Sequence, residues 1–253
     1  MTRIISVVSG KGGAGKTVVV ANTGVALAEM GRDITIIDGN LTTPNLGLHL
    51  GIPLFPKTLH DVLKGKAKLR DALYEHDSGL KIIPAGISLD DLKGVDIRDI
   101  SNILLDLLGN TDVVMIDAAA GLGKEALAAI ESSDELLLVT NPELPAVLDV
   151  LKAAKLAEQV GTKVLGVVVN RVTGKSHELT DNEITDLLDI PIIAKIPEDE
   201  HVRKAIAIKT PVIKYKPNAR SSIEFKKLAS FLVGKRAELP IPWYKKLFSG
   251  LFS

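Results

Sequence analysis

Cysteine is absent from all 253 residues. Disulfides, thiolate metal sites, cluster ligation by thiolate and cysteine nucleophiles are thereby excluded, and the composition suits a reducing cytoplasm. Aromatic side chains are scarce, at 4%, although hydrophobic residues make up 46% of the chain. A large core must then be filled by Val, Ile, Leu and Ala. Neither sign of charge is in excess, with 31 Lys plus Arg against 31 Asp plus Glu. The chain lacks the overall basic footprint of non-specific nucleic-acid binding, which leaves room only for a local patch. No apolar run approaches the ~18 residues of a spanning helix. The opening MTRIISVVSGKGG goes directly into a strand, without a signal-peptide hydrophobic region.

Short runs rich in Val and Ile recur: IISVVS (4–9), ITIID (34–38), LKIIPAG (80–86), VVMID (113–117), ELLLVTN (135–141), VLGVVVNRV (164–172) and IIAKIPE (192–198). Most are continuously apolar rather than alternating, as expected of strands buried on both faces. Residues 16–30, 144–160 and 181–188 have helical spacing. Alternation of strand and helix predicts an α/β fold with a mainly parallel sheet covered on both sides. No repeat or low-complexity tract interrupts it. The division is one domain over 1–234, a proline-containing linker over 235–242 (KRAELPIP) and a tail over 243–253.

Gly10, Lys11, Gly12, Gly13, Ala14, Gly15, Lys16 and Thr17 fill the pattern G-x-x-x-x-G-K-[ST] between a predicted strand and a predicted helix that continues through Val18. That context is the one the phosphate-binding loop requires. Glycines let the backbone turn its N–H groups toward phosphate, and the positive helix end adds to the field. Lys16 is expected to reach the β- and γ-phosphates and the Thr17 hydroxyl to ligate Mg²⁺. Asp38 and Asp117 each end an apolar strand, the edge of a parallel sheet where ligands sit. Both suit Mg²⁺ held through water, and both equally suit turn or cap chemistry.

The second lysine of the loop, Lys11, narrows the class. KGGAGKT (11–17), DGNLTTPNLGLHLG (38–51), IDAAAGLG (116–123), TNPE (140–143), VNR (169–171) and IPED (196–199) together resemble the MinD/ParA family of deviant Walker A P-loop ATPases, its archaeal MinD-type members most of all. The resemblance runs from about Arg3 to Phe231 and resumes at the C-terminus. It implies a three-layer P-loop NTPase fold, ATP and Mg²⁺ as ligands, and a homodimer formed with ATP. In that dimer Lys11 would act in trans on the partner's phosphates, offsetting the charge of two triphosphates buried face to face; the plainer alternative is a solvated loop lysine. It further implies that Asp117 and Asp38 meet Mg²⁺ through water. Asn170, Arg171, Pro197, Glu198 and Asp199 would surround the base, Asn170 reading its edge with an amide that both donates and accepts. The plainer alternatives are Asn170 as a turn former and Glu198 or Asp199 as helix caps.

Asn40 departs from the family pattern, which has an aspartate two residues after Asp38 to orient and deprotonate the attacking water. Loss of a general base costs ~10²–10⁴ in rate, so hydrolysis is expected to be slow while binding survives. A naturally slow ATPase, an exchange of Asp for Asn that traps ATP, and a base supplied by another group all remain open. The five histidines, His49, His60, His76, His177 and His201, show no metal spacing and read as ordinary surface or loop residues.

On a wheel of about 100° per residue, Trp243, Tyr244, Leu247, Phe248, Leu251 and Phe252 fill one half, and Lys245, Lys246, Ser249, Gly250 and Ser253 the other. Trp and Phe opposite Lys mark an interfacial membrane helix drawn to anionic lipid. A helix packing on the domain, or on a partner protein, shares the pattern. The family resemblance implies a membrane-targeting helix here, hence a cytoplasmic protein peripheral on the inner face of the membrane with an unidentified protein effector or cargo. A ParA-like DNA-partitioning ATPase is the alternative; the neutral charge and the tail count against it, and no specific nucleic acid is expected.

Overall fold

The computed structural model describes residues 2–234 except positions 53, 89, 92 and 96–98. The 235–242 linker and the 243–253 tail, with Trp243 through Phe252, lie outside the described residues. Eight strands form one sheet in the order β3-β4-β2-β5-β1-β6-β7-β8. They are β1 (Arg3–Ser9), β2 (Ile34–Gly39), β3 (Tyr74–Glu75), β4 (Lys81–Ile83), β5 (Val113–Ala118), β6 (Glu135–Thr140), β7 (Lys163–Val172) and β8 (Ile192–Pro197). Every pairing is parallel except that of β3 with β4. The three-layer P-loop NTPase fold expected from the resemblance is therefore the fold observed.

The continuous apolar runs work because successive strand residues face opposite sides. Ile5 and Val7 of β1, with Met115 of β5 and Leu137 and Val139 of β6, join one core; Ile4 and Val8, Val114 and Ile116, Leu136 and Leu138 join the other. The first core lies under α1 (Lys16–Glu29) and α10 (Arg220–Leu232), and the second under α4 (Ile100–Leu107), α5 (Lys124–Glu131), α6 (Leu144–Val160) and α7 (Asp181–Leu188). Short helices α2 (Leu46–His49), α3 (Leu59–Leu63), α8 (Glu200–Ala207) and α9 (Val212–Tyr215) complete the order.

The helices expected at 144–160 and 181–188 match their observed bounds, and the first ends one residue early, at Glu29. The run 80–86 forms only the three-residue β4, because Pro84 has no N–H to continue the ladder. Gly24 lets α1 lie close on the sheet: a Cβ there would stand 3.2 Å from Ile36 Cγ2 and 3.3 Å from Leu80 Cδ1. Fully buried Phe225 and Leu228 carry α10 against the same face. Arg3 ties that helix to the sheet, donating to the Leu232 carbonyl and, at 2.6 and 2.9 Å, to Glu135 Oε2. Among the described residues no helix is long and apolar enough to cross a membrane.

Candidate nucleotide site

Beyond Ser9 the chain leaves β1 and turns back into α1 through a loop with two left-handed glycines, Gly13 at φ 87° and Gly15 at φ 86°. An L side chain is strained there. Two other contacts fix the loop from outside. A Cβ on Gly10 would lie 2.3 Å from Asp149 Cβ and 2.6 Å from the Asp149 carbonyl carbon, so the loop rests directly on α6. A Cβ on Gly15 would lie 2.2 Å from Asn170 Nδ2. Asn170 is buried and its Nδ2 donates to the Ala14 carbonyl at 2.7 Å, while Asn141 Nδ2 donates to the Asn170 carbonyl at 3.0 Å. The first turn of α1 holds no acidic side chain, so its N–H groups and positive end face an anion unopposed.

Lys16, the first residue of α1, is buried and pairs with Asp117 Oδ1 at the end of β5. Asp38 stands beside Asp117 in the β2–β5 register. Its two oxygens accept from the backbone N–H groups of Asn40 at 3.2 Å and Leu46 at 3.1 Å. Burial, and then the neighbouring Asp117 charge, push the Asp38 carboxyl up to about 7 against the help of those bonds and of Lys16. Asp117 Oδ2 is buried with no partner among the described residues.

Two adjoining dehydrated carboxylates and an orphaned oxygen fit a divalent cation. Among the described residues no cluster of three His, Asp or Glu side chains could hold a metal by itself, so Mg²⁺ would depend on phosphate oxygens. Asp117, Asp38 and the Thr17 hydroxyl are the groups placed to hold it, directly or through water, and there it would neutralise phosphate charge.

A cavity of about 470 Å³ extends from this corner, a normal size for a small-molecule site. Residues 12–18 form its floor; Asn40, Thr43 and Asn45 stand on one side and Asn170, Arg171, Pro197, Glu198 and Asp199 on the other. Ile196, Val202, Ile206 and Phe225 give the second side an apolar wall suited to a flat base. Arg171 has φ 62° at a register shift in the β7–β8 pairing, a bulge of the kind that re-aims a side chain. It donates to Glu198 Oε2 at 2.9 Å, and Arg203 donates to Oε1. Burial opposes the Glu198 charge, but the two arginines together hold its carboxyl below the ordinary value.

Several sequence expectations change in detail. Asp199 lines the cavity but is the N-cap of α8, accepting from His201 N at 2.9 Å and Ser221 Oγ at 2.8 Å. Burial raises its pKa, and the bonds from His201 and Ser221 more than reverse that, to about 2. One N–H of the Asn170 amide is already used on the loop, which leaves its second N–H and its carbonyl for a base. Lys11 does not line the cavity of its own chain; its ammonium sits 3.3 Å from Glu143 Oε2 on the surface. Asn40 is tied to Thr43, with Nδ2 2.7 Å from its carbonyl and Oδ1 accepting its N–H at 3.2 Å.

Two histidines are not the surface residues their spacing suggested. His60 is fully buried and accepts from Gly86 N at 2.8 Å, and His49 lines the nucleotide cavity. Nothing local signals either, nor the cavity role of Phe225, because each depends on a distant element.

This geometry defines a P-loop protein that binds a Mg²⁺-nucleotide. The CobQ/CobB/MinD/ParA nucleotide binding domain model matches residues 5–212, and the chain belongs to that family. An uncharacterized ATP-binding protein of Methanocaldococcus jannaschii is 38% identical over 252 residues, covering 100% of this chain and 96% of the relative. The septum site-determining protein MinD of Thermotoga maritima is 33% identical, over 94% of this chain and 91% of its own length. Among solved structures, septum site-determining protein MinD complexed with Mg-ADP from Pyrococcus horikoshii superposes with a TM-score of 0.89 at 40% identity, covering 92% of this chain and 96% of that one.

Two outcomes follow from the site. Gly10→Ala must push the loop off the α6 backbone, so nucleotide affinity should fall at least about tenfold, roughly 1.4 kcal/mol, with the circular dichroism unchanged; wild-type affinity by calorimetry would refute the packing argument. Asp199→Asn keeps a cap oxygen but loses the charge, and should cost about 1 kcal/mol at neutral pH. Because the folded pKa lies below the unfolded 3.8, the charge stabilises fully above about pH 4 and its contribution is lost toward pH 2. The difference in urea stability between the two proteins should shrink over that window; a constant difference would count against the assignment.

Proposed function

We propose that the chain is an ATP-hydrolysing switch that homodimerises when it holds ATP, attaches to the membrane through residues 243–253 and positions cellular machinery such as the division or motility apparatus. The observation that carries this reading is the placement of Lys11. A loop lysine that stood over its own phosphates would line its own cavity, whereas this one points outward and pairs only loosely with Glu143. An exposed pair of that kind contributes about 0–1 kcal/mol. It is readily exchanged for the triphosphate of a second copy, which a charge-assisted contact favours more.

Lys16 must leave Asp117 to reach phosphate, and Asp117 then needs another cation, which couples nucleotide to Mg²⁺. At position 40 the water attacking the γ-phosphorus finds an amide in place of a carboxylate, so turnover is slow. The MinD proteins to which the chain is similar are named for septum placement, which supports a positioning role and a protein effector or cargo. The amphipathic pattern of the tail supports membrane attachment. One short helix per chain attaches weakly and reversibly; a dimer presents two at high effective concentration, so ATP binding becomes membrane binding and hydrolysis releases it. A ParA-like DNA-partitioning role draws no support from a chain without net charge.

Gel filtration should show a monomer without nucleotide and a dimer with Mg·ATP, and flotation with anionic liposomes should require ATP and fail for Phe248→Glu. Equal capture of the nucleotide-free protein would break the coupling. Asn40→Asp should raise steady-state turnover, by as much as ~10²-fold, with ATP affinity little changed; equal turnover in the two proteins would remove Asn40 as the cause of slow hydrolysis.

A further inference from the structure

The hydrolysis reading leaves one chemical question open inside the cavity: which group takes the proton of the attacking water when position 40 is an amide. Glu198 is held by Arg171 and Arg203 and Asp199 by His201 and Ser221, and both carboxyls are depressed by those bonds, which makes them poor bases. Asp38, which also accepts two backbone N–H groups, and Asp117 are the carboxylates placed to hold the divalent cation, and oxygens committed to it are not free to take a proton. The Asn40 amide is occupied at both ends by Thr43, and the Ser9 hydroxyl donates to the Lys11 carbonyl at 3.1 Å.

His49 is what remains. It is the last residue of α2, one helical turn after the N-cap Asn45, and both line the same cavity as Asn40 and Thr43. Its backbone is fixed by His49 N donating to the Asn45 carbonyl at 3.3 Å, while its ring bonds to no group among the described residues. Burial holds the ring below its ordinary pKa against the pull of Asp117. A neutral imidazole with an unoccupied acceptor nitrogen therefore faces the space where a nucleotide fits.

We infer that His49 is the proton acceptor for ATP hydrolysis in this chain, in the role that Asn40 cannot fill. The water oxygen forms a bond to the γ-phosphorus as the bond from that phosphorus to the β,γ-bridging oxygen breaks. ADP carries away the electron pair of the broken bond. The water proton passes to the unprotonated ring nitrogen of His49 and from there to solvent. No oxidant, reductant or further reactant is needed.

The inference rests on the hydrolysing reading, and the test separates the two. Steady-state ATPase is measured with Mg·ATP and anionic liposomes for the wild type, His49→Gln, Asn40→Asp and the double variant, with Lys16→Ala as background. His49→Gln should lower kcat at least about tenfold with KM and ATP affinity within about twofold of wild type. In the Asn40→Asp background, where a carboxylate is restored, the same change should cost less than about threefold. Free imidazole should restore part of the activity lost in His49→Ala, which a structural role would not predict. An unchanged kcat, an equal loss in both backgrounds, a loss confined to KM, or no imidazole rescue overturns the assignment of His49 and leaves the hydrolysis reading standing. Wild-type turnover no higher than that of Lys16→Ala overturns hydrolysis itself, and this assignment with it.

Discussion

The site depends on the buried ion pair between Lys16 and Asp117. It joins the start of α1 to the end of β5 in a place almost closed to water. Desolvating two charges is expensive, and such a pair adds little net stability; removing one partner leaves the other stranded, at a cost of about 3–5 kcal/mol. Asp38 shares the same ammonium group more distantly, and its raised pKa records how poorly one lysine serves two carboxylates. The unpartnered Asp117 oxygen completes the imbalance. This corner is thus short of positive charge whenever Lys16 turns to phosphate. A triphosphate and a divalent cation together correct the shortage better than either does alone.

The fold supplies the positions rather than the chemistry. The β2–β5 register sets Asp38 beside Asp117, the parallel sheet places both at its carboxyl edge, and packing against both faces keeps the strands from sliding. Gly10 against α6 and Gly15 against Asn170 then press the loop into place from two directions. These close contacts limit the freedom that so many glycines would otherwise give the segment.

What the sequence reveals follows from the range of the interactions. Continuous apolar runs disclose a two-sided parallel sheet because burial on both faces is a local property of composition. The loop is legible because its glycines, lysine and threonine act within eight residues. Asn170 bonds to Ala14 across 156 positions and Asp199 to Ser221 across 22, and no periodicity announces either. The side-chain spacing of His49 is that of an ordinary helix residue; only the approach of α2 to the loop brings it into the cavity. The outward turn of Lys11 and its pairing with Glu143 are likewise invisible until β1 and α6 are adjacent.

The two margins of the sheet have a bearing on how copies of the chain meet. On one side the terminal strand, β3, is two residues long and runs antiparallel to its neighbour. On the other, β8 ends in Pro197 and is preceded by Pro191, and neither ring can offer an N–H to an incoming strand. Lys195 between them is exposed and held by Asp181 at 2.6 Å. Neither border offers a long run of free backbone groups, so lateral growth of the sheet from one molecule into the next is discouraged. Self-association is thereby steered away from open-ended polymers, toward contacts that side chains and ligands can govern.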